Sequence, residues 1–217
     1  MPNVVGRRIK GNLAYFDYGS HRMRMVDAVG PDVIKWDIRD LALQDQAATG
    51  TDPAGAVVTV VEAGTGTSEI TASKTAGYSA ELVTAANEDD GISVQVADEN
   101  YEFTSDQVVY FGIEFEINDV DQTDFIAGLC ITDTTLLGGM TDGVYFESVD
   151  GATGISTVTE KDSSETQSDS EGTLVDATLV FLEFYFDGTS VYFFIDGSEV
   201  GRVTSTIPDD EALRPSI

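Results

Sequence analysis

Hydrophobic and polar positions alternate along most of this chain, and the clearest pattern lies in residues 177–204 (ATLVFLEFYFDGTSVYFFIDGSEVGRVT). Two short apolar runs there are rich in the β-branched and aromatic side chains that favour strands. Each run is followed by an Asp-Gly pair, Asp187-Gly188 and then Asp196-Gly197. Asp-Gly is typical of tight hairpin turns, because these turns need residues that accept a positive φ. The segment therefore predicts three antiparallel strands joined by two turns.

The same rhythm begins near residue 56, where short apolar or alternating runs are separated by turns that contain glycine or asparagine. Residues 107–117 (QVVYFGIEFEI) predict a long strand with one apolar face, and residues 125–131 predict a central strand. Residues 161–176 form the most polar stretch and predict a solvated loop or a strand at a sheet edge. About ten short strands with turns every ~8–12 residues indicate an all-β sandwich of two antiparallel sheets, or jelly roll.

The first part of the chain has a different character. Residues 1–44 contain short apolar stretches broken by glycine and charge, and a polar loop signal follows at residues 41–53. We interpret residues 1–44 as an extended N-terminal arm and residues 45–217 as the sandwich domain, since so short a segment with few core residues is unlikely to fold alone. The only tryptophan, Trp36, lies in this arm, either as an anchor in a partner's pocket or packed locally.

Charge separates the two parts further. The formal net charge is −28, yet residues 1–40 hold seven basic and five acidic residues. An acidic body repels nucleic acid and anionic lipid, so we expect neither as a partner. The basic arm indicates docking, either onto an acidic protein surface or onto its own domain. No secretory leader or run long enough to span a membrane is evident, so we expect synthesis in a cytoplasm.

Several segments resemble tailed-phage virion proteins, either head-decoration or minor capsid proteins, that carry a concanavalin A-like (laminin-G-like) jelly roll. The resemblance covers about residues 50–217, and it is carried by segments 85–96 (AANEDDGISVQV), 109–117, 124–146, 158–166 and 207–217 (IPDDEALRPSI). It implies a structural protein of the capsid surface, made in the host cytoplasm. Its partners would be the major capsid protein and sister subunits, with a trimer as the expected oligomer. It implies no cofactor and no enzymatic activity.

On this interpretation the arm binds the phage head or sister subunits. The expected contact residues are the basic side chains of the arm and its tryptophan: Arg7, Arg8, Lys10, Arg22, Arg24 and Trp36. Proteins of this type normally continue beyond the position of Ile217 with strands that close the sandwich. We therefore expect the closing strands to be absent and an open sheet edge near Ile217, completed by the arm, a neighbouring subunit or missing sequence.

A lectin-like module that binds host glycans is the alternative function, because lectins share this architecture. Lectin sites usually need an exposed aromatic platform, and Tyr78, Tyr101 and Tyr145 are the candidates, although Tyr145 lies in a predicted strand.

Catalytic and metal chemistry find little support in the sequence. His21 and Cys130 are the only histidine and cysteine, so the chain has too few of these residues for a catalytic triad or a zinc site. We expect Cys130 to be a small buried hydrophobe. Glucanases of this fold carry a Glu-x-Asp-x-x-Glu strand, and residues 116–121 (EINDVD) match it poorly. Asn118, Asp119, Asp121 and Asp124 are close together in the sequence, as oxygen ligands of calcium can be, and Asp187 and Asp196 lie at turns. We interpret all six as turn residues. We expect no catalytic, cofactor or metal residues.

Overall fold

The structure is a computed structural model. It describes residues 6–10, 13–18, 21–28, 47–51, 55–73, 79–87, 89–149 and 151–217. Between residues 6 and 28 it describes the backbone of the strands and not the side chains. Within these ranges the chain is almost entirely β-structure, with one 3₁₀ turn at Val120–Gln122 and one helical turn at Leu136–Gly139.

The strands are numbered in chain order. They are β1 (Gly6–Lys10), β2 (Leu13–Tyr18), β3 (His21–Ala28), β4 (Gly50–Thr51), β5 (Ala56–Val61), β6 (Glu69–Ser73), β7 (Ser79–Val83), β8 (Gly91–Val96), β9 (Tyr101–Glu102), β10 (Val109–Phe115), β11 (Phe125–Cys130), β12 (Gly143–Ser148), β13 (Gly154–Lys161), β14 (Ser164–Thr173), β15 (Val180–Phe186), β16 (Val191–Ile195), β17 (Ser198–Val203) and β18 (Ala212–Ser216).

Two antiparallel sheets form the body of the sandwich. A nine-stranded sheet has the order β14-β13-β12-β11-β18-β8-β5-β4, with β9 paired to β18. A four-stranded sheet has the order β10-β15-β16-β17. The described residues also form a three-stranded sheet, β1-β2-β3, and a hairpin, β6-β7. This architecture confirms the predicted all-β, concanavalin A-like jelly roll of two antiparallel sheets.

The main core lies between the two large sheets. Phe146 projects from the nine-stranded sheet, while Phe184 and Phe193 project from the four-stranded sheet, and all three side chains are fully buried. The Phe146 ring meets Phe193 edge-on with centroids 5.3 Å apart, and Phe184 stacks on Phe111 at 5.2 Å. Rings at such separations attract each other beyond the effect of area burial, so this layer holds the sheets in one relative position.

The three strands expected in residues 177–204 are present as β15, β16 and β17. The β15–β16 ladder ends at the pair Phe186 and Val191, which leaves a four-residue loop, and the Asp187 carboxylate accepts the amides of Thr189 and Ser190 at 3.0 Å. The β16–β17 ladder ends at Ile195 and Ser198. Asp196 and Gly197 between them both have positive φ, at 50° and 76°. Asp-Gly therefore makes the tight turn that its sequence predicts.

The polar stretch after residue 161 provides a strand at the edge of a sheet, one of the two outcomes left open. β14 pairs with β13, and most of the β14 residues are exposed. The register of this ladder shifts once, between Ile155 and Thr157. Polar side chains on both faces of β14 suit a strand at the edge of a sheet.

The last residues contradict the expectation of an open edge near Ile217. β18 lies inside the nine-stranded sheet, with β11 on one side and β8 on the other. Ile217 and Val94 exchange two backbone hydrogen bonds, at 2.7 and 3.0 Å, and Leu213 is fully buried. The sequence Ala-Leu-Arg-Pro-Ser hides this strand because proline and arginine are uncommon in sheet interiors.

Thr157 provides a test of core packing. Its hydroxyl faces the four-stranded sheet, is buried, and has no hydrogen-bond partner. The nearly isosteric substitution Thr157→Val removes this desolvated group, so we expect the free energy of unfolding to rise by about 1 kcal/mol. The neighbouring Thr159 is the control, because its hydroxyl lies 2.9 Å from that of Thr206 and donates to the Ser205 carbonyl at 3.3 Å. Thr159→Val should destabilise the fold; denaturant unfolding that ranks the two variants the other way would contradict this assignment.

Candidate functional site

The second face of the nine-stranded sheet carries a group of polar side chains on three neighbouring strands. Val144 and Phe146 of β12 point into the main core, so the alternation of side chains along a strand places Tyr145 and Glu147 on the opposite face. The strand register brings matching positions of β13 and β14 beside them. We name this surface the acid–tyrosine face; it consists of Tyr145, Glu147, Ser156, Glu160, Glu165, Gln167 and Asp169.

Hydrogen bonds connect the three strands across this face. The Tyr145 hydroxyl donates to Glu160 Oε2 at 3.1 Å, and Gln167 Nε2 donates to Glu147 Oε1 at 3.1 Å. Ser156 Oγ donates to Asp169 Oδ1 at 3.2 Å. Each donor is neutral, so the carboxylates are oriented without a counter-charge in these three contacts. The remaining carboxylate lone pairs are available as acceptors for a ligand's hydroxyl groups.

The environment raises the pKa of the central carboxyl groups. Partial burial raises the pKa of Glu147 to about 7, and the charges of Glu165, Glu160 and Asp169 contribute in the same direction. Burial also raises the pKa of Glu160, partly offset by the Tyr145 hydrogen bond. Desolvation raises the pKa of Tyr145, so its hydroxyl stays protonated as a donor. Near neutral pH, Glu147 can therefore act as either a proton donor or an acceptor.

An apolar cluster forms the floor beside these polar groups. Ile126, Cys130 and Val158 on the strands pack with Leu136 and Met140 from the connection between β11 and β12. Cys130 is fully buried, as expected, and desolvation raises the pKa of its thiol. The connection thus covers the face over β11, and Val158 of β13 is fully buried in the same cluster. On β14, by contrast, Glu165, Gln167 and Asp169 are exposed.

The aromatic residues proposed for a lectin site do not form a platform in the described residues. Tyr101 lies in β9 and packs against the main core, and Tyr145 is buried within its sheet face, with 4% of its surface exposed. Tyr78 lies outside the described residues. The side chains of the expected arm contacts, Arg7, Arg8, Lys10, Arg22, Arg24 and Trp36, and of His21, also lie outside them.

The acidic residues considered for calcium occupy turns and loops. Asp119 precedes the 3₁₀ turn, Asp124 lies 3.4 Å from the Gly151 amide, and Asp196 accepts the Phe181 amide at 3.0 Å. Among the described residues, no group of three or more acidic, histidine or cysteine side chains is arranged to hold a metal ion. Within the same ranges, no helix has the length and apolar character needed to cross a membrane.

Comparison with known proteins finds solved structures of similar fold and identifies no family. No protein-family model matches the chain, and no curated protein matches it by sequence. Among solved structures, the carbohydrate recognition domain of Emp46p in its metal-free form is similar with a TM-score of 0.49 and 11% identity over 84% of this chain and 89% of that one. A carbohydrate esterase of the Shiga toxin-encoding bacteriophage phi24B gives a TM-score of 0.45 and 13% identity over 75% of this chain and 82% of that one. A β-1,3-1,4-glucanase from a mouse hindgut metagenome gives 0.42 and 12% over 74% and 64%.

The expectation that the chain is not an enzyme is wrong as an exclusion. The solved structures similar in fold are mostly enzymes, among them an esterase, two glucanases and a glucuronan lyase. At these identities the likeness shows the fold alone. The glucanase motif places its carboxylates on one strand, and residues 116–121 match it poorly, whereas the folded chain brings Glu147, Glu160 and Glu165 together from three strands. Only the strand register reveals that grouping.

The raised pKa of Glu147 predicts a pH dependence of stability. A carboxyl whose pKa is higher in the folded state binds more protons folded than unfolded between its ordinary value and about 7, so its contribution to stability falls as pH rises through that window. Glu147→Gln keeps the acceptor for Gln167 and removes the titration. We expect this variant to gain stability relative to wild type at pH 8, with little difference at pH 4.5, in thermal unfolding. An equal shift at both pH values would show that Glu147 does not titrate in this window.

Proposed function

We propose that this protein binds carbohydrate on the acid–tyrosine face. The observation that carries the proposal is the juxtaposition of Glu147 and Gln167, joined by a 3.1 Å hydrogen bond on an uncovered part of the sheet. Carboxylates and amides together both accept and donate hydrogen bonds, which matches the hydroxyl groups of a sugar. A few such groups fixed beside an apolar floor are typical of small-molecule sites.

The charge of the face supports one class of glycan. Glu147, Glu160, Glu165 and Asp169 place four acidic groups on three adjacent strands, within a chain of formal net charge −28. Polyanionic glycans such as uronates would be repelled. Neutral glycans form hydrogen bonds with carboxylates without that cost, so they are the proposed ligands.

The virion setting is a further proposal, and it depends on the sequence resemblance alone. On that basis the chain is displayed on a phage capsid or tail, where many identical copies would strengthen weak glycan contacts through multivalency. Decoration of the phage head, with the major capsid protein and sister subunits as partners, is the corresponding structural function. Binding to purified capsids, measured by co-sedimentation, tests this setting independently of glycan binding.

A glycan array followed by titration calorimetry tests the proposed binding. We expect neutral oligosaccharides to bind and uronate polymers not to bind. Gln167→Ala should weaken binding by roughly tenfold or more, the factor that corresponds to ~1.4 kcal/mol. Glu211→Ala is the control, because Glu211 is exposed, is not one of the residues of this face, and its loss also removes one acidic residue. No binding to any neutral glycan, or equal binding by both variants, would contradict the proposal.

Cleavage of the bound glycan is a second candidate function, favoured by the pKa of about 7 at Glu147. A protonated Glu147 could donate its proton to the glycosidic oxygen as a general acid. In the β12–β13 ladder Glu147 opposes Ser156 and Glu160 opposes Gly143, so the two glutamates lie four positions apart, about 13 Å at the backbone. This spacing exceeds the ~6.5–9.5 Å between the carboxyl groups of inverting glycosidases, so the ladder does not assign Glu160 as the second catalytic carboxylate.

Reducing-sugar release from neutral β-glucans tests this second candidate. We expect release by wild type to decline as pH rises above about 7, because the donor loses its proton. Glu147→Gln should abolish release while glycan binding persists, and Glu211→Ala should leave both unchanged. Release that persists in Glu147→Gln would exclude Glu147 as the acid, and absence of release from wild type would leave binding as the function.

A further inference from the structure

The nine-stranded sheet ends at β14, the longest strand in the described part of the chain. β14 runs for ten residues, Ser164–Thr173, and most of them are exposed. It pairs with β13 on one side, and among the described residues no strand pairs with its other side. The opposite end of the sheet is β4, which has only two residues. β14 is therefore the longer open edge, and an open edge is a template for an additional strand.

The turn before β14 determines which backbone groups face this open edge. Asp162 and Ser163 both have positive φ, at 50° and 59°, as in a two-residue type I′ hairpin turn. The residues on either side of the turn, Lys161 and Ser164, face each other in the ladder. The turn geometry makes them a hydrogen-bonded pair. Along an antiparallel ladder such pairs alternate with pairs that are not hydrogen-bonded to each other.

Two residues of β14 therefore direct their backbone groups toward the open edge. In this alternation Thr166 and Ser168 are hydrogen-bonded to β13, whereas Glu165 and Gln167 are not. The N–H and C=O groups of Glu165 and Gln167 point away from β13, and no hydrogen bond to another described residue involves them. The register of the ladder shifts beyond Ser168, so the regular part of this edge consists of residues 164–168.

Thr206 holds this edge in place from the inner side of the sheet. Thr206 Oγ1 lies 2.8 Å from Thr166 Oγ1 on β14 and 2.9 Å from Thr159 Oγ1 on β13. These contacts fix β14 both to its neighbouring strand and to the connection between β17 and β18. A preformed edge loses less conformational entropy on binding than a flexible segment does. The edge is therefore organised before a partner arrives.

The side chains of this edge favour a basic partner. Glu165 and Asp169 are exposed, and β14 contains no basic residue. Opposite charges on facing residues stabilise strand pairing, whereas like charges destabilise it. A second copy that paired through the same edge would bring the same acidic residues and would be repelled. A strand with basic residues at alternate positions would instead place its cations beside these carboxylates.

We propose that β14 accepts an extended basic segment of a partner protein as an additional antiparallel strand along residues 164–168. Backbone hydrogen bonds to Glu165 and Gln167 hold the segment, as in other cases of strand addition. Its basic residues occupy alternate positions, on the same side of the sheet as the Glu165 carboxylate. The contact uses the backbone edge of β14, so it does not depend on glycan binding by the acid–tyrosine face.

Amide hydrogen exchange, followed by NMR in the full-length protein, tests this proposal residue by residue. The probe is a short N-acetylated peptide of alternating lysine and threonine. In the free protein we expect the amides of Glu165 and Gln167 to exchange rapidly, because they face solvent, and those of Thr166 and Ser168 to exchange slowly. Saturating peptide should slow exchange at Glu165 and Gln167 by roughly tenfold or more, equivalent to ~1.4 kcal/mol.

Two controls separate strand addition from general attraction to an acidic protein. The same peptide methylated on the backbone nitrogen of each lysine keeps its charge but loses the donors that β14 would accept, so we expect it to give no protection. Glu165→Lys should weaken binding of the unmodified peptide by roughly tenfold. Glu211→Lys makes the same charge change at an exposed residue outside β14, and it should weaken binding less.

Three results would overturn the proposal. The first is equal protection by the two peptides, which would reduce the contact to charge attraction. The second is protection that is absent or confined to other strands. The third is slow exchange at Glu165 and Gln167 in the free protein. Loss of that protection on dilution would assign the edge to a second copy, and protection independent of concentration would assign it to this chain's own residues.

Discussion

The structure depends on a layer of phenylalanine rings between its two large sheets. Phe184 is the centre of this layer, with ring centroids 5.2 Å from Phe111, 6.0 Å from Phe193 and 6.4 Å from Phe146. Because these residues alternate with outward-facing positions along their strands, the side chain that faces the core determines which residues face away from it. The positions of Tyr145 and Glu147 on one outer surface, and of Tyr192 and Glu183 on the other, both follow from this core.

The two outer surfaces differ in how they accommodate carboxylates. On the acid–tyrosine face, Glu165 and Asp169 lie on an edge strand in contact with water, and the neutral donors Tyr145 and Gln167 orient the more buried acids. The cost of keeping Glu147 ionised there appears as its raised pKa. On the four-stranded sheet, Glu183 is almost fully buried. The first arrangement suits a ligand that arrives from solution.

Much of the fold could be predicted from the sequence, because strand alternation and Asp-Gly turns are local signals. The β15–β17 meander is an example, and so is the long strand β10. The central strand β18 could not be predicted, since Arg214 and Pro215 are not typical of interior strands and the strand forms only by long-range pairing.

The candidate site could not be predicted for the same reason. Tyr145 and Glu160 are 15 residues apart in sequence, and no motif on a single strand contains them together. The absence of such a motif on one strand therefore does not exclude enzymatic activity.

Carbohydrate binding on the acid–tyrosine face is the central claim, and chemical-shift mapping by NMR tests it most directly. The full-length protein, labelled with ¹⁵N, would be titrated with a neutral β-glucan oligosaccharide while the backbone amide and Gln167 side-chain resonances are followed. The account predicts concentration-dependent shifts concentrated in β12, β13 and β14, with the Gln167 side-chain amide among the largest. Shifts confined to the loops or to the four-stranded sheet, or no shifts at all, would contradict it.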